Sequence, residues 1–222
     1  MIIPTYEQAK QYEKDYTYIP VCREILADDV TPILMLRKLA ALDGQYFLLE
    51  SVEGGNLGRY SFLGYHPKLS VSCKNGVVKV KENGMVRILP GKPKEALQSL
   101  LEQYRSPQIE GLPTFTGGLV GYFAYETIQY AEPKLHIKQS DVNDFELMMF
   151  DKLLAFDQVM HKLCIIVNAR TADGEAGYNK AVEEIDAFIE TLRITEPIPY
   201  EKPQKAPEFT CNLSKEEYCS MV

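Results

Sequence analysis

Apolar residues in the first half of the chain recur with helical spacing at first and with strand spacing afterwards. Thr5 followed by Gln8 forms a capping box, which predicts a polar helix to about residue 16. Thr31 before Pro32 predicts a second helix through residue 42. Alternating apolar and polar positions then predict five strands, over residues 45–53, 59–65, 69–74, 77–82 and 85–89.

Two Asn-Gly pairs, Asn75-Gly76 and Asn83-Gly84, separate the last three of these strands. Asn-Gly supplies the positive backbone angles that a two-residue hairpin turn requires. The three strands are therefore predicted to form an antiparallel meander.

The second half of the chain repeats this mixture of patterns. A helix over residues 94–105 has one apolar stripe, as expected of a helix that covers the meander. Residues 117–122 read as an apolar, glycine-rich extended segment with close backbone packing, and residues 145–156 with 162–168 read as one long hairpin of buried strands. Gly174 introduces a helix to about residue 192. The predicted fold class is α+β, with antiparallel sheets flanked by helices.

The last part of the chain changes composition. Four prolines between residues 195 and 213 predict an extended linker after a domain that spans residues 1–194. Ser214 and Glu217 then form a second capping box, yet only five residues follow Glu217. A helix that short is marginal in water, so we expect the chain to be a truncated part of a longer protein.

Charge and cysteine content restrict the classes of function. The net charge of −7 leaves no basic surface for nucleic acid or anionic lipid, and no apolar run is long enough to span a membrane. We therefore expect a cytoplasmic protein that binds neither nucleic acid nor membrane. The five scattered cysteines are expected to be reduced, mostly as small core residues.

Glu50 is the most informative candidate for ligand binding. In a strand it shares a face with Tyr46, Leu48 and Val52, which places a carboxylate among apolar neighbours. Such a carboxylate needs a counter-charge, either an internal Arg or Lys or the ammonium group of a ligand. A solvated position at a sheet edge, or a pair with Arg59, is the alternative. Ser51 points to the opposite face unless the strand bulges.

Arg59 follows a glycine-containing loop and precedes Tyr60 and Ser61. Its planar guanidinium is suited to a ligand carboxylate, although an ordinary surface position also fits. The 117–122 segment matches neither the dinucleotide fingerprint nor the phosphate loop. No segment presents a nucleophile with its base or a carboxylate cage for magnesium, so we expect neither a catalytic residue nor a cofactor site in this chain.

Four segments together resemble the amino-terminal region of the anthranilate synthase component I family. They are residues 19–32, Leu48-Leu49-Glu50-Ser51, residues 58–64 (Gly-Arg-Tyr-Ser-Phe-Leu-Gly) and residues 117–122 (Gly-Gly-Leu-Val-Gly-Tyr), in that order. The resemblance implies an amino-terminal α+β regulatory domain in which Glu50, Ser51 and Arg59 help to bind L-tryptophan as a feedback inhibitor. It also implies that a chorismate-binding domain starts near Ser214.

The resemblance further implies the chemistry of the parent enzyme, which converts chorismate and ammonia to anthranilate and pyruvate with Mg²⁺. A glutamine amidotransferase, component II, supplies the ammonia, and the catalytic residues belong to the carboxy-terminal region. This chain is therefore expected to bind or regulate, and to be inactive alone. Two other interpretations are the corresponding part of aminodeoxychorismate synthase component I, which usually lacks a glutamate at the position of Glu50, and a non-enzymatic amino-acid-binding or interaction module.

Overall fold

The computed structural model describes residues 2–28, 30–50, 58–132, 134–135, 137, 141–200 and 210–221. Within these residues the helices are α1 Tyr6–Ala9, α2 Pro32–Leu42, α3 Pro93–Glu102, α4 Gly174–Ile194 and α5 Lys215–Met221. The strands are β1 Ile2–Ile3, β2 Tyr18–Leu26, β3 Tyr46–Leu49, β4 Tyr60–Tyr65, β5 Leu69–Lys74, β6 Val77–Glu82, β7 Met85–Leu89, β8 Gly118–Phe123, β9 Phe145–Phe150, β10 Lys152–Asp157 and β11 Lys162–Arg170. Short 3₁₀ segments lie at Lys10–Tyr12, Tyr125–Tyr130 and Thr171–Asp173.

Six strands form the first sheet, sheet A, in the order β1-β2-β11-β10-β4-β3, with antiparallel neighbours throughout. Helices α2 and α4 cover one of its faces. Their buried residues, which pack on Val21, Leu63, Leu154 and Ile165 of the sheet, are Met35, Leu39, Ala181, Ile185, Phe188 and Leu192. Burial of each such large side chain is worth about 1.5–3 kcal/mol, so the apolar stripe of α4 positions that helix.

The second sheet, sheet B, has the order β7-β6-β5-β9-β8. Its meander β5-β6-β7 has the predicted bounds, and Asn75, Gly76, Asn83 and Gly84 all have positive φ between 49° and 79°. Both turns are therefore the type I′ turns that Asn-Gly favours. Helix α3 packs its buried Ala96 and Leu100 on the meander, as expected.

The chain passes from sheet B to sheet A at Asp151, between β9 and β10. Asn168 of β11 is hydrogen-bonded to the residue at this crossing. Its backbone N–H and its side-chain amide both donate to the Asp151 carbonyl, at 3.0 and 3.1 Å. The same amide donates to the Thr116 carbonyl at 2.7 Å. The side chains of Phe47, Phe150 and Leu153 belong to a third core cluster that joins the two sheets.

The predicted α+β class is confirmed, and several element boundaries are corrected. The prediction of one long strand over residues 145–156 was wrong, because the chain passes from sheet B to sheet A at Asp151. Helix α1 ends at Ala9, with a 3₁₀ turn to Tyr12, although the Thr5 and Gln8 capping box is present. Strand β2 was missed. Cys22, Cys73 and Cys164 are buried, whereas Cys211 and Cys219 are exposed.

The end of the chain agrees with its local pattern as far as the structure describes it. Residues 195–200 form no regular element. The backbone N–H of Ile198 donates to the Arg37 carbonyl of α2, and the Arg37 guanidinium donates back to the Ile198 carbonyl. Residues 201–209 of the predicted linker lie outside the described residues. The Ser214 and Glu217 capping box opens α5. Among the described helices, none has the length and apolar character needed to cross a bilayer.

Gly121 allows β8 to approach β9 closely, as the glycine-rich segment predicted. A Cβ atom at this position would overlap the backbone carbonyl of Glu146 and the Cα of Leu147. We expect Gly121→Ala to lower the free energy of unfolding by about 1–3 kcal/mol, since neither backbone atom can move without breaking strand pairing. Urea unfolding followed by circular dichroism measures the change.

Gly44→Ala is the matched control, because a Cβ at Gly44 would meet nothing within 4 Å. Its stability should equal that of the unaltered chain within about 0.5 kcal/mol. Equal stability of Gly121→Ala and Gly44→Ala would contradict the close approach of β8 and β9.

Candidate functional site

One end of sheet A brings together charged and aromatic residues from neighbouring strands, next to Arg59. The antiparallel register aligns Tyr60 of β4 with Asp157 of β10, Asp157 with Lys162 of β11, and Lys162 with Leu26 of β2. These four residues form one row on the face of sheet A opposite α2 and α4, and we call it the end row. The next row inward contains Phe62, Ala155, Cys164 and Glu24.

Glu50 lies beside this end of the sheet but outside β3, which ends at Leu49. It is exposed, and it forms no ion pair with a residue in the described part of the chain. The expected position among apolar strand neighbours was therefore wrong. Continued pairing would place Glu50 opposite buried Ser61, on the face covered by α2 and α4, and leaving the strand avoids the cost of desolvating the carboxylate there. Ser51 lies outside the described residues.

Arg59 precedes β4 and binds Asp157, the last residue of β10. The guanidinium donates from Nε to both carboxylate oxygens at 3.1 Å and from Nη2 to Oδ2 at 2.7 Å. The guanidinium carbon of Arg59, Cζ, also lies 5.0 Å from the centre of the Tyr60 ring. The carboxylate partner of Arg59 is therefore Asp157. The alternative prediction of an ion pair between Glu50 and Arg59 is wrong.

The Asp157 carboxylate is almost fully enclosed, with 6% of its side chain exposed against 42% for Arg59. Burial alone would raise its pKa, but the hydrogen bonds from Arg59 and from the backbone N–H groups of Val159 and Met160 outweigh burial and lower the pKa. Asp157 is therefore a fixed anion that also orders the turn between β10 and β11.

A second ion pair joins the neighbouring strands on the same face. Lys162 Nζ lies 2.8 Å from Glu24 Oε2, and this contact raises the pKa of the lysine. Tyr60 and Phe62 are only partly buried beside these charges. The face can therefore present cations, carboxylates and aromatic rings to a small molecule that has both an ammonium and a carboxylate group.

Sequence reasoning missed Asp157, Tyr60, Lys162 and Glu24 as members of this group. The sequence does show a carboxylate, Asp157, directly after the apolar run 153–156. Its partner Arg59, however, is 98 residues away along the chain. For a metal site, no three His, Cys, Asp or Glu side chains come together within the described ranges.

The lowered pKa of Asp157 predicts a change in the acid stability of the protein when Arg59 is replaced. The stabilisation from Asp157 is complete above the unfolded carboxyl pKa of about 3.9 and is lost as the pH falls through the lower folded pKa. In Arg59→Gln burial is no longer offset by the guanidinium, so the Asp157 pKa rises and the loss begins at higher pH. Urea unfolding at a series of pH values and NMR titration of the Asp157 carboxyl measure this.

Arg87→Gln, on the exposed strand β7, is the control. It should leave the loss of stability at low pH unchanged. An Asp157 titration that is the same with and without Arg59 would show that the ion pair does not set this pKa.

Comparison with known proteins finds relatives that match nearly the whole chain. Anthranilate synthase component 1 of Acetivibrio thermocellus is 33% identical over 234 residues, which cover 100% of this chain and 47% of that protein. The protein of the same name from Acinetobacter calcoaceticus is 35% identical, over 93% of this chain and 43% of that protein. The chain thus spans about half the length of these relatives.

A solved structure shows the same fold. The crystal structure of anthranilate synthase component I from Streptococcus pneumoniae TIGR4 matches with a TM-score of 0.59 at 23% identity, over 89% of this chain and 43% of that chain. At this identity the match supports the α+β architecture alone. The family model described as chorismate binding enzyme matches residues 45–222. This match runs across residues 194 and 214, so the predicted domain boundaries stay predictions. Because the match covers most of the chain, the chain belongs to the chorismate binding enzyme family.

Proposed function

We propose that this chain is the tryptophan-sensing part of an anthranilate synthase component 1. The observation that carries the proposal is the position of Glu50, which ends the Leu48-Leu49-Glu50 run at the same end of sheet A as Arg59. Ser51 follows directly and is included because of the motif alone. These are the three residues to which the family resemblance assigns tryptophan binding.

The chemistry of this end of the sheet suits an aromatic amino acid. Glu50 has no cation partner among the described residues, so its carboxylate can accept the ligand ammonium. Arg59 uses Nε and Nη2 for Asp157, which leaves the Nη1 hydrogens for the ligand carboxylate. Tyr60 and Phe62 provide partly exposed rings beside which an indole can pack.

The names of the relatives favour the anthranilate branch over the folate branch, because the proteins from Acetivibrio, Acinetobacter and Synechocystis are all called anthranilate synthase component 1. The parent reaction would convert chorismate and ammonia to anthranilate and pyruvate with Mg²⁺. Its partners would be component II, the glutamine amidotransferase, and a carboxy-terminal catalytic region. Feedback then requires a coupling free energy between two sites, typically about 1–3 kcal/mol.

Binding of L-tryptophan can be measured directly, because the chain contains no tryptophan of its own. Added L-tryptophan is then the only indole, and its emission should shift on binding. We expect Glu50→Ala to raise the dissociation constant about tenfold or more, since a charge-assisted hydrogen bond is lost.

Glu196→Ala, which removes an exposed glutamate in the segment after α4, is the matched control and should bind as the unaltered chain does. Equal affinity of Glu50→Ala and Glu196→Ala would remove Glu50 from the site. Absence of binding by the unaltered chain would contradict tryptophan sensing by this chain alone.

Catalysis provides a separate test. The purified chain, given chorismate, ammonium and Mg²⁺, should form no anthranilate above the uncatalysed background, because the proposed catalytic groups belong to the half of the relatives that this chain does not match. Anthranilate fluorescence is the readout, and a complete anthranilate synthase component 1 is the positive control. Steady turnover by this chain would disprove this division of roles.

A further inference from the structure

Two cysteines lie on adjacent strands of sheet A, on the face that carries the end row. Cys22 of β2 is directly opposite Ile166 of β11, and Cys164 of β11 is directly opposite Glu24 of β2. Directly paired residues share a face of a sheet, and so do residues two apart in one strand. Cys22 and Cys164 are therefore diagonal neighbours on one face, although they are far apart along the chain.

Both cysteines are enclosed by other residues of this chain. Cys22 is 0% exposed and Cys164 is 4% exposed, and both belong to the third core cluster, together with Phe150 and Ile166. Their proximity follows from the pairing of β2 with β11 and from the packing of that cluster. It requires neither a partner molecule nor an uncovered surface.

The two thiols differ in how readily they ionise. The hydrogen bond with Cys164 and burial both raise the pKa of Cys22. The hydrogen bond with Cys22 lowers the pKa of Cys164, and Lys162, two residues away on the same face, lowers it further, whereas burial and the carboxylates of Glu24 and Asp157 act in the opposite direction. Because the thiolate is the nucleophilic form of cysteine, Cys164 is the member of the pair that reacts first with an oxidant.

We propose that Cys22 and Cys164 are a redox-active pair, which a peroxide oxidises to a disulfide between β2 and β11. The Cys164 thiolate attacks one oxygen of hydrogen peroxide, the O–O bond breaks, and the departing hydroxide takes the proton of Cys164 to form water. The Cys22 sulfur then attacks the sulfenic acid on Cys164. The S–S bond forms as the S–O bond breaks, and the second hydroxide takes the proton of Cys22. The two thiols lose two electrons, which the peroxide gains.

Formation of this bond requires a local movement of the two strands. Diagonal neighbours lie about 7–8 Å apart in an antiparallel sheet, whereas the Cα atoms of a relaxed disulfide lie about 4.4–6.8 Å apart. The disulfide is therefore strained and readily reduced, which suits a reversible switch better than a permanent crosslink. Glu24, opposite Cys164, binds Lys162 at 2.8 Å, so the movement also reaches this ion pair of the candidate site.

The pair is tested by treating the folded chain with hydrogen peroxide, after the exposed Cys211 and Cys219 are replaced by Ser. Cys22, Cys73 and Cys164 then remain. We expect the loss of two free thiols, a mass lower by two hydrogen atoms, and a peptide map in which Cys22 is linked to Cys164. Dithiothreitol should restore all the thiols. In NMR spectra, oxidation should shift the amide signals of β2 and β11 more than those of sheet B.

Cys73→Ala is the matched control, because Cys73 is equally buried but lies in sheet B. This variant should form the same disulfide. Cys22→Ala should form none, and its Cys164 should stop at the sulfenic acid, which dimedone traps. Cys164→Ala is the second variant and should also form no disulfide, and circular dichroism checks that each variant is folded.

Three results overturn the proposal. The first is a folded chain that keeps its three thiols in peroxide. The second is further oxidation of Cys164 without a link to Cys22. The third is a mixture of links that includes Cys73, because such a mixture would come from the unfolded chain. Each readout is independent of tryptophan binding, so a failure here and a failure of the proposed function can be told apart.

Discussion

The crossing at Asp151 is the constraint on which the arrangement of both sheets depends. A single residue separates the last residue of β9 from the first residue of β10, so the two strands cannot lie side by side in one sheet. Asn168 satisfies the carbonyl of Asp151 twice and also binds Thr116. One side chain thereby ties β11, the crossing and the segment before β8 together, and a polar backbone group at the junction of two apolar cores is not left unpaired.

The end of sheet A where Glu50 lies is organised by ion pairs inside the protein. Asp157 binds Arg59, and Glu24 binds Lys162, so both of these cations have a carboxylate partner within the protein. The arginine is nevertheless kept in one orientation, with donors left over, and preorganised donors lose less entropy on binding. This arrangement explains how an arginine can be structurally paired and still contribute to a proposed ligand site.

Local chemistry explains which features could be predicted from the sequence. The two Asn-Gly turns, the Thr31-Pro32 start of α2 and the Ser214 cap of α5 depend on residues within four positions of one another, and all are present in the structure. The apolar stripe of α4 was also predictable because helical periodicity is a local property. The group around Asp157 was not, since Arg59 and Asp157 are 98 residues apart and no local pattern encodes their contact.

The fold class, the hairpin turns and the resemblance that assigns Glu50, Ser51 and Arg59 to one proposed site can all be recognised in the order of the residues. The folded chain was needed to show that residues 145–156 belong to two sheets, that Glu50 is exposed beyond the end of β3, and that Arg59 binds Asp157. Strand periodicity indicates which side of a chain segment is apolar. It does not report which sheet receives the segment, or which distant charge neutralises its end.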